Sequence, residues 1–191
     1  MLNLGTIYNV AGKGTMRRLL IGCSLAVLAW PAQGAVASLG SGIARDCFEN
    51  AQTGQKDAGL EACGKALEGD QLTPRDRAAT LVNRGIIYNR SRQLDLAIGD
   101  FDKAIELNQE LGEAYLNRGN AHFFRREFDA SLADYSKAID LKAGDLYVAY
   151  YNRALVGMMT AKFDAAKADL QSALGLKPDF KEAAQQMTEL E

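Results

Sequence analysis

The chain has 191 residues, 48% of them hydrophobic and 24% charged, ordinary proportions for a soluble globular protein; its 18 glycines and 3 prolines exclude collagen-like or proline-rich sequence. A formal net charge of −2 gives no electrostatic reason to expect nucleic acid, and one histidine with three cysteines leaves little from which to build a metal or cofactor site. No apolar run reaches the ~18–20 residues of a membrane-spanning helix.

Residues 1–37 contain no acid and three bases, Lys13, Arg17 and Arg18. From Leu19 to Trp30 the chain is apolar apart from Gly22, Cys23 and Ser24; Pro31 and largely small residues follow, through Ser38. A basic start, a short apolar run and a small-residue exit are the parts of a secretory leader. Ala35-Val36-Ala37 offers the small side chains that a leader peptidase needs, with Ala32-Gln33-Gly34 as a second choice. Met16-Arg17-Arg18 makes the better basic start, so translation is expected to begin at Met16. An uncleaved anchor and a lipid-modified Cys23 in Leu20-Ile21-Gly22-Cys23 are the alternatives. The anchor has only the short apolar run, and the lipid site has only four residues between Arg18 and the cysteine. Cleavage after Ala37 removes three bases and no acid, which leaves a net charge of −5. The expected destination is the periplasm or the exterior.

Beyond the leader the chain repeats itself. Asn83-Arg84-Gly85 recurs as Asn117-Arg118-Gly119, 34 residues on, and as Asn152-Arg153-Ala154, 35 further. A second block recurs behind each copy: Ala97 to Ile105, Ser131 to Ile139 and Ala166 to Leu174. Apolar residues in both blocks return at three- and four-residue steps, so each block reads as an amphipathic helix and each unit as helix–turn–helix. Thr73-Pro74-Arg75-Asp76 reads as a helix start, with Thr73 as the cap and Asp76 completing a capping box. Asp95, Asp129 and Asp164 lie near the starts of the second helices, where negative charge suits the helix dipole.

At this length and pattern the chain resembles the tetratricopeptide repeat family. The fourth slot is large (Leu81, Tyr115, Tyr150), the eighth small (Gly85, Gly119, Ala154) and the twentieth small (Ala97, Ser131, Ala166). The twenty-fourth is bulky (Phe101, Tyr135, Leu170) and the twenty-seventh is alanine (Ala104, Ala138, Ala173). Pro178 closes the third copy; Gln109 and Ala143 stand at that slot in the first two. The resemblance implies an all-α fold, a right-handed α-solenoid. Its repeats are expected at 78–111, 112–146 and 147–180, followed by a polar capping helix at 181–191 that covers the last repeat with Ala184 and Met187. Residues 38–77 hold a degenerate first hairpin. Laid on the family template, it carries Cys47 in the eighth slot and Cys63 in the twenty-fourth, within plausible disulfide reach in an oxidising compartment.

The resemblance also implies a concave groove lined by the first helix of each unit. Asn83, Asn117 and Asn152 share the sixth slot, and a side-chain amide can donate to and accept from a peptide backbone. The row resembles the asparagine ladder of the O-linked N-acetylglucosamine transferases and is expected to hold an extended segment of a partner protein. The alternative is that these amides bond neighbouring helices. The other groove slots are Val82, Ile86, Asn89 and Arg90, then Leu116, Asn120, Phe123 and Phe124, then Tyr151, Leu155, Met158 and Met159. Too few are basic for a clamp on a terminal carboxylate. Arg84, Arg118 and Arg153 recur in step with Asp100, Asp134 and Asp169 and are expected to pair; His122 is expected to pack. No nucleophile, phosphate-cradling or metal-binding motif occurs. The expectation is an exported interaction module, not an enzyme, binding a protein or peptide and no small-molecule substrate. Its rivals are a structural subunit docking through its convex face and an accessory to a separate enzyme.

Overall fold

The structure is a computed structural model that describes residues 42–69 and 72–190; the expected leader, its cut site and Cys23 lie outside them. The described residues form nine helices and no strand. These are α1 (Gly42–Thr53), α2 (Lys56–Glu68), α3 (Pro74–Arg90), α4 (Leu94–Leu107), α5 (Gly112–Phe124), α6 (Phe128–Asp140), α7 (Leu146–Met159), α8 (Phe163–Leu176) and α9 (Lys181–Glu189). Each helix packs on the next, and α1–α3, α3–α5 and α5–α7 also touch, so the hairpins stack into an all-α solenoid.

Local chemistry starts and stops the helices. The Thr73 hydroxyl oxygen accepts from the Asp76 backbone N–H at 3.1 Å and Pro74 opens α3, an arrangement that contributes about 1 kcal/mol. Helices α3, α5 and α7 end through left-handed residues, Arg92, Arg126 and Ala161, with φ near 60°. The amide after each one returns to a carbonyl five residues back: Gln93 to Tyr88, Glu127 to His122 and Lys162 to Gly157. The turn therefore keeps one geometry in all three repeats although none supplies the usual glycine.

The eighth and twenty-fourth slots fix how closely the two helices of a hairpin approach. A Cβ added to Gly85 would stand 2.5 Å from the Phe101 ring, and one added to Gly119 would stand 2.8 Å from Tyr135. In the third repeat Ala154 faces the smaller Leu170, and both are buried. In the first hairpin the same two slots are Cys47 and Cys63, joined by a disulfide with an S–S length of 2.09 Å. At the other end, α9 buries Ala183, while Ala184 is exposed and Met187 half-buried. The expected Ala184 is thus replaced by Ala183, because a helix starting at Lys181 aligns 183, 187 and 190 on one face.

Candidate functional site

The first helices α3, α5 and α7 stand side by side and carry every residue of the expected groove. Val82, Asn83, Ile86, Leu116, Asn117, Phe123, Tyr151, Asn152, Leu155 and Met158 are all buried, none more than 7% exposed. Asn89, Arg90, Asn120, Phe124 and Met159 are half-buried. The apolar members belong to two packed clusters. Val82 and Ile86 lie with Phe101, and Leu116, Phe123, Tyr151, Leu155 and Met158 lie with Tyr135 and Leu170.

The asparagines are engaged within the chain. Asn117 Nδ2 donates to the Glu113 carbonyl at 2.8 Å, one turn back on α5. Asn152 Nδ2 donates to Asn120 Oδ1 at 2.9 Å, and the same oxygen accepts the Tyr135 hydroxyl at 2.8 Å. Asn120 therefore ties α7 and α6 to α5, and burial raises the Tyr135 hydroxyl pKa above its usual range. This corrects the picture of an amide row offered to solvent. The small eighth slot draws the helices so close that the sixth-slot amides of Asn117 and Asn152 fall into the seams, where a buried amide needs a partner.

The guanidinium ladder forms as a structural feature. Arg84 grips Asp100 through two bonds of 2.7 and 2.8 Å, and Arg118 grips Asp134 at 2.9 and 2.7 Å. Arg153 grips Asp169 at 2.8 and 2.7 Å. Each bond pair raises the arginine's pKa, the side-chain hydrogen bond to its aspartate being the main cause. The third nitrogen reaches across to the preceding unit: Arg118 Nη1 donates to Asp102 at 2.6 Å, and Arg153 Nη1 to the Ser136 hydroxyl at 3.0 Å. Tyr88, Tyr115 and Tyr150 lie beneath Arg84, Arg118 and Arg153, with ring centroids 5.4–5.9 Å away.

Sequence reasoning missed a second set of ties at the turn edge. The Arg92 guanidinium sits 3.7 Å from the centre of the Phe124 ring in the next repeat, and Arg125 pairs with Asp95 at 2.6 Å. His122 is more than a packing residue. Its Nδ1 lies 2.6 Å from Glu127 Oε2, and that hydrogen bond is the main cause of the lowered Glu127 pKa.

A cavity of about 400 Å3 opens between the first two hairpins, lined by Leu67, Arg77, Leu81, Arg84, Lys103, Glu106 and Leu107. Its guanidinium groups are already committed: Arg77 donates to the Leu67 and Gly69 carbonyls, and Arg84 to Asp100. Among the described residues there is no cluster of three or more groups able to hold a metal, and no helix is long and apolar enough to cross a membrane.

The tetratricopeptide repeat profile matches residues 78–111, 112–145 and 147–180. It closes the second unit one residue before the expected 146, and α7 opens at Leu146. No curated protein matches the sequence. Among solved structures, a crystal structure of MamA is 26% identical, with 75% of this chain and 81% of that one covered and a TM-score of 0.65. The first TPR of Spaghetti (RPAP3), bound to the HSP90 peptide SRMEEVD, is 24% identical over 64% of this chain and 95% of its own, with a TM-score of 0.58. The Arabidopsis OM64 TPR domain is 24% identical over 62% and 97%, with a TM-score of 0.59.

Proposed function

Because the chain belongs to the tetratricopeptide repeat family, we propose that it is an exported scaffold whose three first helices hold a segment of a partner protein on their shared concave face. The observation that carries this reading is the set of expected groove residues that stay partly accessible on α3, α5 and α7: Asn89 and Arg90, then Asn120 and Phe124, then Met159. Phe124 and Met159 offer the apolar contact there, and a methionine adapts to varied side chains. The peptide-bound RPAP3 domain has the same fold and supports a peptide-holding role. Here the arginines of the seventh slots are neutralised by aspartate, so apolar contact, not charge, drives the binding.

A second reading has its own observation. Leu96, Leu107, Phe163 and Leu176 are between 38% and 53% exposed, and all four lie on the second helices α4 and α8. Exposed apolar side chains on those helices suit docking through the convex face. A cross-linked pull-down from the cell envelope separates the two readings. Phe124→Ala with Met159→Ala should reduce partner recovery on the first reading. If only Leu96→Ser with Leu107→Ser reduces it, the groove reading is lost and the convex one stands.

A further inference from the structure

The guanidinium ladder crosses two seams and stops short of the third. Arg118 Nη1 donates to Asp102 at 2.6 Å and Arg153 Nη1 to the Ser136 hydroxyl at 3.0 Å, each on the second helix of the preceding unit. Both acceptors stand one residue past the bulky twenty-fourth slot, after Phe101 and after Tyr135. In the first hairpin the residue past Cys63 is Gly64, which brings no acceptor. Arg84 spends Nε and Nη2 on Asp100, and its Nη1 has no partner among the described residues. A Cβ added to Gly64 would meet nothing within 4 Å, so the place of the missing acceptor is open.

The cavity of about 400 Å3 lies at this seam. Leu67 of α2, Leu81 of α3 and Leu107 of α4 give it apolar walls. Arg77, Arg84 and Lys103 bring positive charge, against Glu106 as the one lining carboxylate. Arg77 donates to neutral backbone carbonyls, and Lys103 has no ion-pair partner among the described residues. With Asp100 set against Arg84, three cations meet two carboxylates and one positive charge is left over. Lys103 and Leu107 are exposed, so the cavity is reached from solvent. None of Asn89, Arg90, Asn120, Phe124 and Met159 lines it, so it is separate from the concave face.

We propose that this cavity binds a carboxylate that carries an apolar group. The carboxylate takes the place at Arg84 Nη1 that Gly64 leaves empty, and the hydrocarbon lies against Leu67, Leu81 and Leu107. The neighbouring seams show which acceptors that nitrogen meets, a carboxylate and a hydroxyl, and the surplus positive charge selects the carboxylate. The volume falls at the small end of the range for small-ligand sites, roughly 300–1,000 Å3. A free aliphatic acid and the terminal carboxylate of a chain ending in an apolar residue share this chemistry.

The full chain is titrated with octanoate and, separately, with acetyl-leucine, while leucine methyl resonances are followed by NMR. At least one should saturate and shift the methyls of Leu67, Leu81 and Leu107. Tighter octanoate marks a free acid as the ligand, and tighter acetyl-leucine marks a chain terminus. Octanol, which lacks the carboxylate, and acetate, which lacks the hydrocarbon, should each bind about tenfold more weakly or worse. Gly64→Asp returns the ladder's own acceptor. It should weaken binding by about tenfold or more and raise the urea midpoint, with helicity retained. Lys103→Gln removes an exposed charge that the fold does not use and should weaken binding several-fold. No saturation by either acid would overturn the proposal. Octanol binding as tightly as octanoate would do so too, as would an affinity that Gly64→Asp leaves unchanged.

Discussion

In the hairpin of α1 and α2 the closest approach of the two helices is a covalent bond between Cys47 and Cys63; in the three hairpins that follow, the same slots hold Gly85 under Phe101, Gly119 under Tyr135 and Ala154 beside Leu170. The rest of each core differs to match. Helices α1 and α2 bury Ala44, Cys47, Ala51, Gly59, Cys63 and Ala66, with no large apolar side chain among them. Helices α3 and α4 bury Leu81, Val82, Ile86, Ile87 and Phe101. A fully buried leucine or phenylalanine contributes about 1.5–3 kcal/mol and an alanine far less, so the first hairpin lacks what stabilises the others. Its seventh and twenty-third slots hold Asp46 and Ala62, so the guanidinium–carboxylate grip is also missing there. Among the described residues this hairpin has a neighbour on one side only. The disulfide compensates by restricting the unfolded hairpin, not by adding contacts.

The contrast is broken most severely by removing Arg118. Asp134 would then be buried without its main cation, and Asp102 would lose its tie across the seam. Arg118→Ala should cost about 3–5 kcal/mol in urea denaturation, whereas Asp46→Ala, at the equivalent slot region of α1, should change stability little. Replacing the cysteines is the reciprocal test. Cys47→Ala with Cys63→Ala should cost about 3 kcal/mol in the first hairpin. Hydrogen exchange should then show 42–69 opening while α5–α8 keep their protection.

A smaller effect sharpens the steric half of the comparison. Gly119→Ala forces a Cβ against Tyr135, and overpacking should outweigh helix propensity for a net loss of about 1–2 kcal/mol. Gly99→Ala meets nothing within 4 Å on α4 and should instead gain about 0.5–1 kcal/mol. Equal melting shifts for the two would refute the tight-slot account. The smallest effect concerns pH. The hydrogen bond from His122, and then the charge of Arg125, hold the Glu127 carboxyl below its ordinary value. Its contribution is complete above the unfolded pKa near 4.5 and is lost as pH falls through the lower folded value. An NMR titration should place the Glu127 midpoint below that of exposed glutamates, and His122→Ala should return it most of the way.

The repeats were legible because packing leaves size marks at fixed intervals. Gly85, Phe101 and Ala104 each sit where only a narrow range of volumes fits, and the same range recurs 34 residues later. The paired arginines and aspartates were legible for the same reason. The groove was less so. Whether Asn117 or Leu155 meets water depends on several helices at once, and slot numbers carry no record of that sum. The bond from Asn152 to Asn120 and the stacking of Arg92 on Phe124 join different repeats through unlike slots, so no repeated pair announced them. In α9 the one-residue error at Ala184 came from the helix start, which the pattern does not fix.

The rungs that Arg118 and Arg153 send to the preceding unit are unequal: one ends on a carboxylate, the other on the neutral hydroxyl of Ser136. Pulled from its two ends, such a stack does not yield uniformly. By charge the Arg153 rung is the weaker of the two, but the seam it crosses is also closed by the bond from Asn152 to Asn120 and by one apolar cluster that runs through both repeats.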